Sequence, residues 1–139
     1  MDLKEDAILG DDIQNHWYYV AKGEAMRAML GNAPVDHVLD VGAGSGVFTR
    51  QLIDSGHAMQ GTCGDPGYET ERTETHNGRP IHFVRGVQSV PHKLILMMDV
   101  LEHVDDDVAL IRAYTDQMPD DAQLQITVPA FQFLWSFFV

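Results

Sequence analysis

The chain has a single cysteine, Cys63, among its 139 residues. That excludes an internal disulfide framework and fits a reducing compartment, so a cytoplasmic location is expected. Cations are scarce: nine Lys and Arg stand against 21 Asp and Glu, for a formal net charge of −12. No basic stripe is present to neutralise phosphates, which argues against a nucleic-acid partner. No apolar run reaches the roughly 20 residues of a membrane span, and the polar, acidic start from Met1 to Asp12 is unlike a signal peptide. Also missing are a C-x-x-C pair, a G-x-S-x-G elbow and a P-loop. His37, His57, His82 and His92 have no metal-ligand spacing, so no metal site is expected. What the chain does have is 45% apolar residues, enough for one core, and residues 1–139 read as one domain.

Periodicity divides that domain in two. Asp11-Asp12 precede an amphipathic stretch, and a helix is predicted over 11–31, stopped by Gly31-Asn32-Ala33-Pro34. The core, 35–139, alternates strands and helices. Strands are predicted at Val35 to Val41, His57 to Cys63, Pro80 to Arg85, Lys93 to Met98 and Ala122 to Val128. Helices are predicted at Val47 to Ser55 and Asp105 to Met118, with a short helix at Tyr68 to His76. The run Lys93-Leu94-Ile95-Leu96-Met97-Met98 has the continuous apolar character of a strand buried on both faces. The fold class is therefore α/β, with a doubly wound, mostly parallel sheet of about five strands in the order 3-2-1-4-5.

The most informative segment is Val38-Leu39-Asp40-Val41-Gly42-Ala43-Gly44-Ser45-Gly46. It reads as a buried strand entering a glycine-rich turn before a helix, a geometry that lets backbone N–H groups approach a ligand. The dinucleotide fingerprint is G-x-G-x-x-G. Here the third glycine comes one residue early, at Gly46, and Val47 occupies the position that fingerprint needs. Asp40, Asp65 and Asp99 all fall at predicted carboxyl ends of strands, where doubly wound sheets bind ligands. Asp65 lies 23 positions after Gly42, close to the spacing of ribose-binding acids, though Gly64-Asp65-Pro66-Gly67 is also turn chemistry.

The G-x-G-x-G turn with Asp40 before it resembles motif I of the class I S-adenosylmethionine-dependent methyltransferases, which have a Rossmann-like fold. Asp99-Val100-Leu101-Glu102-His103-Val104-Asp105 resembles the D-V-L-E-H-V-x-D segment of that superfamily's small-molecule branch. The resemblance runs from about His16 to Trp135. It implies S-adenosyl-L-methionine as cofactor, S-adenosyl-L-homocysteine as product, and a small-molecule acceptor. It places Asp40, Gly42, Ala43, Gly44, Ser45, Gly46, Asp65, Pro66, Gln88, Asp99, Val100 and Leu101 around the cofactor. Trp17, Tyr18 and Tyr19 become its aromatic cover, where a ring beside the sulfonium would gain about 0.5–2 kcal/mol. Glu102 and His103 are candidates for a general base or a metal site, or alternatively cap the next helix and bond the loop.

Class I domains usually have seven strands, whereas this sequence has room for five before Val139. The reading is thus of a domain short of its C-terminal part, whose apolar segment Phe131 to Val139 is a candidate surface for self-association into a homo-oligomer. The alternatives are an inactive cofactor-binding fragment and, against the glycine spacing, a nucleotide-dependent oxidoreductase.

Overall fold

A computed structural model describes residues 8–86 and 91–130. Its centre is a six-stranded sheet in the order β3-β4-β2-β1-β5-β6. The strands are β1 (Val35–Val41), β2 (Ala58–Gly64), β3 (Arg72–His76), β4 (Arg79–Val84), β5 (Leu94–Met98) and β6 (Gln123–Thr127). All neighbours pair in parallel except β3, which runs antiparallel to β4. The five parallel strands take the expected order, 3-2-1-4-5 in the sequence numbering. The chain leaves β1 for β2 on one side and returns to β5 on the other, so the strand order reverses between β1 and β5.

The sixth strand corrects the predicted helix at Tyr68 to His76. Arg72–His76 is extended and forms a hairpin with β4 through Asn77-Gly78. Both turn residues have positive φ, 49° and 74°, as a two-residue hairpin turn of the favoured twist requires. The alternation Arg-Thr-Glu-Thr-His has no apolar period, so pairing rather than burial makes it a strand. Glu74 accepts from Arg50 at 2.5 Å and Arg72 at 2.8 Å, which ties the strand to the helix above it.

Three α-helices cover the sheet: α1 (Trp17–Met29), α2 (Val47–Asp54) and α3 (Asp107–Thr115). The helix predicted over 11–31 is two pieces. Gly10–Asn15 is a 3₁₀ turn, and His16 is extended at φ −66°, ψ 128° before α1 begins. The predicted helix from Asp105 to Met118 is shorter, because Asp106 caps α3 by accepting from the Ala109 N–H at 2.9 Å. Helix α2 ends as its sequence dictates. Gly56 is left-handed at φ 76°, and the His57 and Gly56 N–H groups return to the Leu52 and Ile53 carbonyls, closing a Schellman motif.

The two faces of the sheet are packed unequally. Beneath α1 and α2, Met26, Phe48, Leu52, Val38, Ile81, Phe83, Leu94 and Leu96 form a fully buried cluster. Beneath α3 the buried set is Leu39, Val41, Ile95, Met97 and Val100, flanked by half-buried Leu110, Ile111, Tyr114, Leu124 and Ile126. Each fully buried Leu or Phe is worth about 1.5–3 kcal/mol over an exposed one, so the first face supplies most of the hydrophobic stabilisation. β5 is buried along its whole length, as its apolar run predicted. Among the described residues no helix is long and apolar enough to cross a membrane.

Candidate functional site

Doubly wound sheets have a crevice where the strand order reverses, outside the carboxyl ends of the strands; here the reversal lies between β1 and β5, and the glycine turn stands beside it. Gly42, Gly44 and Gly46 have φ of 68°, 56° and 77°, a region costly for any residue with a Cβ. Close packing adds a second demand. A Cβ on Gly42 would lie 2.7 Å from Val100 Cγ2, and one on Gly46 would lie 3.1 Å from Phe83 Cε1. The turn and the segment after β5 are therefore in direct contact. Gly42 and Ala43 both donate to the Gly64 carbonyl, at 2.7 and 3.2 Å, which fastens the turn to the end of β2. Gly46 precedes α2 without a side-chain cap, so the helix presents first-turn N–H groups beside the turn. Ser45 Oγ is buried and has no hydrogen-bond partner.

Asp65 follows β2 and is 8% exposed. Its Oδ2 accepts from the Gly44 N–H at 3.2 Å and its Oδ1 from the Gly67 N–H at 2.8 Å. Each oxygen keeps a lone pair for a ligand. Pro66 is exposed on the turn beyond it. Tyr68, which sequence reasoning passed over, is buried against Phe83 and donates its hydroxyl to the Gly44 carbonyl at 2.5 Å. Burial pushes that phenol well above its ordinary pKa, and the nearby Cys63, Asp40 and Asp65 act the same way.

Asp40 is 1% exposed. Its Oδ2 accepts from Thr49 Oγ1 at 2.9 Å, and Cys63 Sγ approaches the same hydroxyl at 3.4 Å. The carboxyl therefore joins β1 to α2 beneath the turn. Burial raises its pKa to about 7, with the Asp65 charge adding to the rise and the Thr49 hydrogen bond opposing it.

Asp99 forms the opposite wall. It is one of two non-glycine residues with positive φ among those described, at 56°. Its carboxylate accepts from the Tyr18 hydroxyl at 2.9 Å, from Thr127 Oγ1 at 3.1 Å and from Lys22 Nζ. Lys22 also donates to the Tyr18 hydroxyl at 3.1 Å. Helix α1 is thus tied across the end of the sheet by residues one turn apart. Lys22 and Thr127 were missed in the sequence. The Tyr18/Lys22 spacing of four was visible, but their partner is 77 positions from Lys22.

The aromatic segment divides three ways. Tyr19 is 3% exposed and packs on Phe48, Trp17 is 74% exposed, and Tyr18 reaches Asp99 with its hydroxyl. Leu101, Glu102 and His103 form a 3₁₀ turn after β5. Glu102 and His103 do not cap α3, because Asp106 does. Gln88 and the Phe131 to Val139 segment lie outside the described residues. Among the described residues no three His, Cys, Asp or Glu side chains are grouped to hold a metal ion.

A glycine turn against an uncapped helix, with acids at or just past the carboxyl ends of β1, β2 and β5, stands on a doubly wound, Rossmann-like sheet. A model of the methyltransferase domain matches residues 15–135, and the chain belongs to that family, the class I methyltransferases. No curated protein matches it. Among solved structures it resembles a chain of the complex between the Haloferax volcanii Trm112 methyltransferase activator and the protein assigned there as a methyltransferase. The TM-score is 0.62 at 18% identity, and the match covers 90% of this chain and 56% of that one. This likeness concerns the fold alone, and the chain spans little more than half the length of that relative.

Proposed function

We propose that this domain binds S-adenosyl-L-methionine and transfers its methyl group to a small-molecule acceptor, leaving S-adenosyl-L-homocysteine. The observation that carries this reading is Asp65. It is a nearly buried carboxylate at the end of β2, held by two backbone N–H groups, one of them from the glycine turn. Those bonds fix its remaining lone pairs, which suit the two hydroxyls of a ribose. Ser45 supports the fit, because its buried, unpartnered hydroxyl lies in the same turn. Gly42 and Gly44 keep the main chain open to a close-lying ligand, and the α2 N-terminus adds N–H donors. Asp40 holds the turn to α2 from below. Asp99, with Tyr18 and Lys22, closes the crevice from the α1 side, where the methionine end would lie.

When bound, the sulfonium supplies an already activated methyl group. The chain's own task is then alignment and exclusion of water, for which strong acid–base catalysis is not required.

Calorimetric titration with S-adenosyl-L-homocysteine tests the reading. The wild-type chain should bind, and Asp65→Ala should weaken binding by about 100-fold, the equivalent of two hydrogen bonds to a charged group. Absence of binding by a folded wild-type sample, or an Asp65→Ala variant that binds equally well, overturns it.

A further inference from the structure

Polar atoms shut off from water without a partner are rare in folded chains, because each costs about 1–3 kcal/mol and more when charged. Five occur among the described side chains: His16 Nδ1, Ser45 Oγ, both carboxylate oxygens of Glu102, and Gln125 Oε1. Four of these five belong to segments that flank Asp99 and Val100. Ser45 is in the turn whose Gly42 abuts Val100. His16 immediately precedes α1, whose Tyr18 donates to Asp99. Glu102 is on the 3₁₀ turn three residues beyond Asp99. An unsatisfied polar atom in such a segment is what a site awaiting a ligand presents.

Ser45 sits in the wall proposed for the cofactor, but Glu102 does not. It follows β5, and among the described side chains it is the one that lacks a donor on two atoms. The helix that follows leaves it unused, because Asp106 is the cap. Lys22 is engaged by Asp99 and Tyr18.

Resting on the methyl-transfer reading, we infer that Glu102 anchors the acceptor and that the acceptor is a small amine, held at its nitrogen. A carboxylate offers about four acceptor positions. An ammonium group brings three donors and the compensating charge, whereas a hydroxyl brings one donor and no charge. The surroundings favour the same sign. Asp105, Asp106 and Asp107 follow directly, and the chain carries −12, a field that concentrates cations and repels anions. The amine is the handle by which the acceptor is held.

Two measurements test this. In the first, Glu102→Gln and Glu102→Leu are unfolded thermally without ligand. A carboxylate kept for a ligand predicts a Tm equal to or a few degrees above wild type. A fall in both variants would reveal a structural partner and overturn the inference. In the second, n-butylamine, n-butanol and butyrate are compared at equal concentration on protein saturated with S-adenosyl-L-homocysteine. The amine should give the largest thermal shift, and Glu102→Gln should abolish that preference. Equal shifts, or none from the amine, overturn the inference while the cofactor reading stands. A wild-type protein that fails to bind S-adenosyl-L-homocysteine removes both together.

Discussion

The crevice between β1 and β5 and the polar row across one face of the sheet treat their polar groups in opposite ways. The row lies on the face that carries Leu39 and Val41. His37 pairs with Thr62 Oγ1 at 2.8 Å, His82 pairs with Thr73 Oγ1 at 2.9 Å, and the His92 ring meets His37 edge-on at 5.0 Å. These histidines are held in place by their neighbours. In the crevice, by contrast, Ser45 and Glu102 have buried polar atoms without partners, and Gly42, Gly44, Gly46 and Asp99 all have left-handed backbone. The row has its polar groups paired, while the segments around Asp99 combine left-handed backbone with unmet hydrogen bonds, a pairing that often marks functional sites. Histidines attract attention in a sequence, yet here the histidine row has its hydrogen bonds met within the fold, and the acidic segments beside the glycine turn carry the proposed site.

The contrast can be broken most forcefully at Gly42. Gly42→Ala combines a left-handed Cβ penalty with a clash against Val100, and should cost about 2–5 kcal/mol. Urea unfolding measures this; a cost below about 0.5 kcal/mol would show that the turn relaxes freely and is no rigid wall.

Asp40 sharpens the comparison through pH. Its folded pKa, about 7, lies above its ordinary 3.8, so between those values the native state holds the proton more tightly. The stability it contributes is therefore fully present below pH 3.8 and is lost as pH rises through 7. Asp40→Asn should remove that loss. Its stability relative to wild type should climb between pH 4 and pH 7, by on the order of a few kcal/mol, and level off above pH 8. A difference that is flat with pH would mean the carboxyl is not desolvated.

The smallest effect belongs to the histidine row. Burial lowers the His37 pKa below 6.5, with the His92 and His82 charges acting in the same direction and Asp36 against them. Here the unfolded state binds the extra proton, so stability falls as pH drops below 6.5 toward the lowered folded value. His37→Leu should cost about 1 kcal/mol at pH 8 for the lost hydrogen bond, flatten the acid side of the pH–stability curve, and leave S-adenosyl-L-homocysteine binding intact. Weakened binding would place the row inside the functional site.

What could be read in advance followed from the range of each interaction. The glycine turn, the β5 run and the end of α2 are encoded within a few residues, and the five parallel strands took their expected order. The strand β3 was missed because its residues carry no apolar period, although Asn77-Gly78 is a hairpin signal. The break at His16 went unseen because the amphipathic pattern continues across it. Lys22 and Thr127 meet at Asp99 only after the sheet has formed, so no local window contains that cluster. Trp17 and Tyr19 stand two positions apart in one aromatic run, where packing was the more natural fate for Trp17; the packing of α1 against α2 instead buries Tyr19 and leaves Trp17 exposed.

The β3–β4 hairpin has a consequence for assembly. Its outer strand is five residues long and carries Arg72, Glu74 and His76, the charged and short kind of border that discourages strand addition. Among the described residues the other border strand, β6, is equally short but carries no charged side chain, so a further strand added to this sheet is directed to the β6 side and away from the hairpin.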